Sequence, residues 1–485
     1  MWAFESVFYQ IYPIGFCGAP RVNDGSLEHR IGRVADWADY LEGLGVGAVL
    51  LNPVFESTSH GYDTRDLLRV DCRLGTAEDL ANVVATLHEH GIRVVLDAVF
   101  NHVGREFWAF ADVRERGWDS PYRDWFITNF DGDSAFGDGF WYEGWEGCFD
   151  LVKLNLRNPA VVDYLLGCVR TWRDEFAIDG LRLDVAYSLD HDFIRALRGV
   201  AGELSGSVRV AGSACTAPID TDRASGRLGP DGSFVLIGEA LHGDYSQLVN
   251  PGMLDSCTNY ECYKGLYSSF NSKNMFEIAH SLHRQFGGEP WCVYRGLHLL
   301  SFADNHDVTR LASILEDPAC IRPAYGMLFG MPGIPCLYYG SEWGATGRKG
   351  ERDDWELRPA FDGPAPNDLT AFIRRLAAVR TAGPGARALS HGGYRNVVIT
   401  NKQLLFERSV GPSGEGPAER VLVAVNAVDE PFDFHAGELA GTFVDLLDGG
   451  AACEGCAAEG AGGSVIELGG SLHMEPYEVR YLLAR

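Results

Sequence analysis

Nowhere do the 485 residues hold an apolar run near the roughly 20 that a membrane span needs, so a spanning helix is not expected. Basic residues are scarce, 41 Lys and Arg against 67 Asp and Glu, for a net charge of −26. A nucleic-acid binder displaces counterions with a basic surface, so that class is excluded and polyanionic partners are disfavoured. A neutral ligand fits such a surface without strain. The opening Met-Trp-Ala-Phe-Glu-Ser-Val-Phe lacks a basic n-region, an h-region and a cleavage site. No export is expected, which places the protein in the cytoplasm. The 12 cysteines form no framework, and free thiols are the expectation. Cys453 and Cys456 make a lone CxxC without the two further ligands that zinc would need.

What the sequence does hold is alternation. Apolar runs at Val7–Tyr12, Gly47–Asn52, Arg93–Val99, Gly180–Asp184, Val235–Gly238, Leu297–Phe302 and Pro335–Tyr339 have the composition of buried parallel strands, with a weaker one near Cys257–Tyr260. Helical patterns separate them. Ser26 is a candidate cap for a helix ending near Leu44, and Thr76-Ala-Glu-Asp79 for a capping box before the helix ending at His90. Eight β/α units predict an α/β fold, the (β/α)8 TIM barrel, over 1–102 and 156–385. Two segments interrupt it. Residues 103–155 carry Trp108, Trp118, Trp125, Trp141 and Trp145 and are expected to form a small inserted domain after the third strand. Ser205–Gly232 has the composition of a mobile surface loop and maps to the bottom face, away from catalysis. After about Gly385 the helical patterns stop. Short strands at Asn396–Asn401, Gln403–Glu407, Arg420–Asn426, Gly441–Leu446 and Glu478–Leu483 predict a C-terminal β-sandwich over 386–485.

TIM-barrel sites sit at the C-terminal ends of the strands. There the sequence places Asp97, Asn101 and His102 after the third strand, and Arg182 and Asp184 on the fourth. Glu239 ends the fifth, and Asn305, His306 and Asp307 follow the seventh. A single Asp after a strand is ordinarily a helix cap or turn residue. Carboxylates on strands four, five and seven repel one another at one barrel mouth, a cost tolerated at functional sites. Glycoside hydrolysis requires two carboxylates across the scissile bond, one ionised and one protonated. Arg182, on the same strand face as Asp184, would hold it ionised. Burial at a strand end would raise Glu239.

These residues resemble the α-amylase family of glycoside hydrolases. Four motifs match in order: Asp97-Ala-Val-Phe-Asn-His102, Gly180-Leu-Arg-Leu-Asp-Val185, Gly238-Glu239 and Phe302-Ala-Asp-Asn-His-Asp307, together with Tyr9-Gln-Ile-Tyr-Pro-Ile-Gly-Phe16 and Gly61-Tyr-Asp-Thr64. The resemblance implies Asp184 as nucleophile, Glu239 as acid/base and Asp307 as the carboxylate that binds and distorts the sugar. It implies sugar contacts for Tyr62, Asp63, His102, Arg182 and His306, with Asp354 and Arg358 gripping the next sugar. Asn101 stands where many α-amylases hold calcium. The alternative is that it braces the site by hydrogen bonds, and no cofactor or metal ligand set is assigned. Ser120-Pro-Tyr-Arg-Asp-Trp125, Tyr142-Glu-Gly-Trp145 and Leu151-Val-Lys-Leu-Asn155 are similar to cyclomaltodextrinases, neopullulanases and maltogenic amylases. The chain is expected to lack their N-terminal β-domain, and it departs from them in Ala-Tyr-Ser after Val185 and in Ala-Leu-His after Glu239. The last two touch the leaving-group side. The expectation is a retaining hydrolase of α-glucosidic, mainly α-1,4, bonds in maltooligosaccharides, cyclodextrins or related dextrins. A transglycosylase of the same family shares every catalytic residue. A non-catalytic barrel of the transporter-associated type is disfavoured by the three carboxylates. Oligomeric state stays open.

Overall fold

A computed structural model describes residues 1–206, 228, 231–351, 353–413, 416–448 and 463–485. Cys453, Cys456 and most of Ser205–Gly232 lie outside the described residues. Eight parallel strands follow one another along the chain: β1 Phe8–Ile11, β2 Ala48–Leu51, β3 Arg93–Ala98, β4 Gly180–Leu183, β5 Val235–Gly238, β6 Ser256–Cys257, β7 Leu300–Phe302 and β8 Ile334–Tyr338. Each is apolar enough to be buried on both faces, as Val-Val-Leu in β3 and Val-Leu-Ile in β5 show. The hydrogen-bonded order runs β6-β5-β4-β3-β2-β1-β8-β7. A bridge between Thr258 and Leu300 brings the two edges together, so the sheet closes into a barrel.

The crossovers are amphipathic helices. Ala77–Glu89 buries Leu80, Val83, Val84 and Leu87 on one stripe and starts at a reciprocal Thr76/Asp79 capping box. Pro159–Phe176 starts from Asn158, which caps Ala160 N, with Pro at the first helical position. Three expectations need correction. Ser26 caps no helix, because residues 26–30 form no regular structure and the helices before β2 are Gly32–Ala35 and Ala38–Leu44. Between β5 and β6 the described residues form only the single turn Tyr245–Gln247, so that unit lacks a full helix. The helical pattern also runs past Gly385, with a short helix at Ala386–His391.

Two additions to the barrel matter for the site. An antiparallel pair, Phe55–Ser57 with Thr64–Val70, rises from the loop after β2. The segment after β3 forms a helix, Trp108–Arg116, and a small sheet in which His102–Gly104 pairs with Cys148–Lys153. The C-terminal strands are β9 Gly393–Ile399, β10 Gln403–Val410, β11 Glu419–Asn426, β12 Phe432–Asp445, β13 Ser464–Met474 and β14 Val479–Ala484, all antiparallel. The long β12–β13 ribbon is irregular between His435 and Ala440. Its Phe434, Leu472 and Met474 share a core with Leu405, Leu422 and Leu482, which gives the sandwich.

Candidate active site

The registers of β3, β4 and β5 place the first carboxylates. Arg182 lies opposite Asp97, and Leu183 opposite both Ala98 and Gly238. The ladder continues one rung further, with Asp184 N donating to Ala98 O and Glu239 N to Leu183 O. Asp184 and Glu239 thus end neighbouring strands on one rung, and such strands lie about 4.8 Å apart. The Arg182 guanidinium binds both, Nη1 at 2.9 Å from Asp184 Oδ1 and Nη2 at 2.9 Å from Glu239 Oε1. Nη1 also donates to both oxygens of Asp97 at 2.8 Å. Val185 sits in the left-handed region at φ 41°, unusual for a β-branched residue, and its N–H donates to Glu239 Oε2 at 3.0 Å.

Asp307 enters from the β7 end. Arg358 Nη2 lies 3.0 Å from its Oδ1 and His306 Nε2 3.0 Å from its Oδ2. Gln10 Nε2 donates to His306 Nδ1 at 3.0 Å, so Nε2 carries the ring hydrogen. That nitrogen also lies 2.5 Å from the Tyr62 hydroxyl, which donates to Asp97 Oδ2 at 3.0 Å. Tyr62 stacks on the His306 ring, with centroids 5.7 Å apart. On the other side, Asn101 Nδ2 lies 3.1 Å from His102 Nδ1. His102 Nε2 is buried, meets no protein partner, and lies 3.9 Å from Asp184 Oδ2.

Burial drives the electrostatics. It pushes Asp97, Asp184 and Glu239 above the ordinary carboxylate range, against the pull of Arg182, with Asp307 adding to the rise of Asp184 and Glu239. Three carboxyls sharing one guanidinium titrate as a set, and that set retains a proton more readily than free carboxylates do. Burial would raise Asp307 as well, but His306 and Arg358 outweigh it and hold Asp307 below the usual range. The imidazoles of His102 and His306 are pushed down to about 3 by burial and are neutral at working pH.

These groups line a pocket of about 480 Å³ at the C-terminal face. Tyr62, His102, Asp184, Glu239, Asp307, Asp354 and Arg358 reach its wall. Arg182 and His306 lie behind that wall, buried, and reach the pocket only through their partners. Asp63 is the exception. Its carboxylate accepts Ser59 Oγ at 2.6 Å and His60 N at 3.1 Å, so it holds the turn that presents Tyr62 and is not a wall residue. Asp354 lies 3.8 Å from Arg358 Nη2.

Calcium at Asn101 can be tested on the donors present. Asn101 Oδ1 is buried and meets no protein donor. The groove beside it, of about 690 Å³, is lined by Lys153, Arg157 and Arg195 as well as Asp190 and Asp192. Arg157 pairs with Asp190, Arg195 with Asp192, and Lys153 with Glu143. Calcium wants six to eight oxygens. One unpartnered amide oxygen among cations and already-paired carboxylates does not fit that ion.

Residues 10–375 match the family described as Alpha amylase, catalytic domain. The chain belongs to the α-amylase family. A maltogenic α-amylase of Bacillus acidopullulyticus is 30% identical over 461 residues, covering 90% of this chain and 72% of that one. A cyclomaltodextrinase of a Bacillus species is 31% identical over 456 residues, covering 88% and 73%. Among solved structures, the cyclic α-maltosyl-(1→6)-maltose hydrolase of Arthrobacter globiformis superposes with a TM-score of 0.75 at 25% identity over 100% of both chains. The chain is thus an α-amylase-family glycoside hydrolase acting on α-glucosidic bonds with retention.

The α-amylase motifs do not reach the whole wall. His60, Trp145, Tyr187, Leu241, Tyr260, Lys349 and Trp355 also line the pocket. They come from the loops after β2, β4, β5, β6 and β8 and from the inserted segment. Trp145, Tyr187 and Leu241 stand in segments that the sequence singled out, whereas His60, Tyr260, Lys349 and Trp355 show only aromatic or polar character after strand ends.

Proposed function

We propose that the chain hydrolyses α-glucosidic bonds, mainly α-1,4, in short maltooligosaccharides and cyclodextrins, by double displacement through a glycosyl-enzyme. The observation that carries the reading is the placement of Asp184 and Glu239 on one rung and one guanidinium, with Asp307 across the same pocket. The assigned roles are those the α-amylase family implies, since burial raises both carboxyls and Arg182 does not outweigh it at Asp184. Asp184, held by Arg182 and facing His102, attacks the anomeric carbon. The glycosidic C–O bond breaks, and the proton held by Glu239 passes to the leaving oxygen. Water then gives a proton back to Glu239 as it attacks the same carbon and releases Asp184, and two inversions restore the α configuration. Asp307 and the His102 Nε2–H receive hydroxyls of the sugar in the cleavage subsite, and Tyr62 offers its ring face to the pyranose. Asp354 and Arg358 serve the next sugar. The substrate class is supported by relatives named maltogenic amylase and cyclomaltodextrinase. The nine described cysteines are all unpaired. A Bacillus subtilis relative named intracellular maltogenic amylase is 30% identical over 415 residues. Both support a place in the cytoplasm.

The test separates the two carboxylates by role. An α-glucosyl fluoride leaves without a proton and azide attacks without a base. Glu239→Gln with both should therefore yield α-glucosyl azide, whereas Asp184→Asn should yield no α product. The α-azide arising from Asp184→Asn and not from Glu239→Gln would reverse the assignment.

A further inference from the structure

Tyr260 belongs to no motif that carries the chemistry, yet it stands at the pocket wall beside Glu239. It opens the helix Tyr260–Ser272, immediately after the short β6, and its ring packs edge-on to Phe302 with centroids 4.9 Å apart. Two contacts define its hydroxyl, and a third, within the β7 loop, orients one of the partners. Asp307 N donates to Asn305 Oδ1 at 2.8 Å. Because a backbone N–H must meet an oxygen, this contact fixes the orientation of the Asn305 amide. The other end of that amide, Nδ2, donates to the Tyr260 hydroxyl at 3.1 Å. The Tyr260 oxygen is thereby an acceptor, and its own hydrogen is left to point at Glu239 Oε1, 3.5 Å away. That is the outer limit of a hydrogen bond, and contacts of this kind in a ligand-free site shorten when substrate fills it.

We propose that Tyr260 is a positioning residue for the acid/base carboxyl, donating to Glu239 Oε1 from a hydroxyl that Asn305 ties to the Asp307 loop. The inference rests on the acid/base reading of Glu239. The groups around Glu239 divide by element. From β4 and its loop come Arg182, Asp184, Val185 N–H and Tyr187; from β3, Asp97; from the β7 loop, Asp307; and from the β6 loop, Tyr260. Among these groups, Arg182, Val185 and Tyr260 donate hydrogen bonds or charge that favour the carboxylate. Arg182 and Val185 hold it from the barrel side, and Tyr260 reaches the Oε1 oxygen from the pocket wall. A hydrogen bond to the charged form favours that form, so losing it raises the carboxyl's titration point. The same link makes Asp307 and Glu239 respond together, since one asparagine holds the backbone of the first and the neighbour of the second.

Tyr260→Phe keeps the ring and its packing and removes only the hydroxyl. The basic limb of kcat/KM against pH, on an unactivated maltooligosaccharide, should move up by roughly half a unit to one unit. Added to Glu239→Gln and assayed with α-glucosyl fluoride and azide, the same substitution should change turnover less than twofold, since the group it acts through is gone. An unmoved limb with only KM raised would overturn the proposal, because Tyr260 would then merely touch sugar. An equal loss of rate in both backgrounds would overturn it too. Failure of azide to rescue Glu239→Gln by itself would remove the acid/base reading and this inference with it, whereas normal rescue with an unmoved limb removes this inference alone.

Discussion

Among single residues, Glu342 shows how burial acts without catalysis. It follows β8, is fully buried, and accepts the Tyr9 hydroxyl at 2.7 Å and the Tyr40 hydroxyl at 3.0 Å on Oε1. Its Oε2 is buried with no hydrogen-bond partner, and Arg310 is the cation that acts on it from a distance. Burial pushes its carboxyl up to about 7, against the pull of Tyr9 and Tyr40. The protonated form is thus the one the fold prefers. Its contribution to stability is complete below the ordinary value of 4.5 and is lost as pH rises through about 7. Glu342→Gln cannot titrate. The wild type should therefore lose on the order of 2–3 kcal/mol more than this variant between pH 4.5 and pH 8, as measured by denaturant unfolding. Parallel stability curves for the two proteins would show that Glu342 is not the titrating group. Residue identity also explains where the sequence was misleading. Asp63 adjoins Tyr62 in a shared motif, but its carboxylate serves Ser59 and His60 while the Tyr62 ring faces the pocket.

At the level of elements, the site depends on how closely segments approach. Gly15, in the short helix Pro13–Phe16 after β1, shows why the sequence has no side chain there. A Cβ at Gly15 would lie 2.1 Å from the Arg358 carbonyl oxygen. Arg358 in turn donates through Nε to His306 O at 3.1 Å and binds Asp307. Gly15→Ala should push the 354–358 segment outward and weaken the grip on Asp307. A KM at least tenfold higher on maltotriose, with a stability cost of about 1–3 kcal/mol, is expected. Unchanged kinetics in a folded variant would mean that the segment yields without disturbing Asp307. Most barrel strands were legible because a strand buried on both faces is a continuous apolar run. The two-residue β6 shows only a weak run, read near Cys257–Tyr260, whereas the strand is Ser256–Cys257 and Tyr260 opens the next helix, so its place at the wall was not legible. The missing helix after β5 is a similar case, since a single turn leaves no periodicity to find.

The whole molecule separates chemistry from what lies at the opposite end of the barrel. Gly206 pairs with Gly232, and Arg93, the first residue of β3, donates to the carbonyls of Leu228 and Asp231. Both ends of the 205–232 segment are therefore adjacent and held at the N-terminal face. Replacing residues 207–227 with a short Gly/Ser link should leave kcat within about twofold, because TIM-barrel catalysis belongs to the other face. A large loss of turnover in a folded variant would show that this segment reaches the site. At the catalytic face, the inserted segment contributes Trp145, and the loop after β8 contributes Lys349, Asp354 and Trp355 to the pocket wall, which narrows the approach for a long chain. Maltotriose and cyclodextrins should thus have a higher kcat/KM than soluble starch. The reverse order would mean that the wall opens to long chains.

The sequence by itself determined the barrel and the identity of its polar strand ends. Apolar runs buried on both faces are a local property, and Asp184, Glu239, His306 and Asp307 stand out at their ends because charge there is costly. Tertiary structure decided which of those groups share a partner. One guanidinium gathers Asp97, Asp184 and Glu239 from three strands, and this depends on register across a sheet. Tyr260, Asn305 and Glu239 likewise meet only when the two edges of the sheet close between Thr258 and Leu300. Titration depends on distance and burial among residues far apart in the chain, so the proton's place in the site follows from the closed barrel and from no single motif.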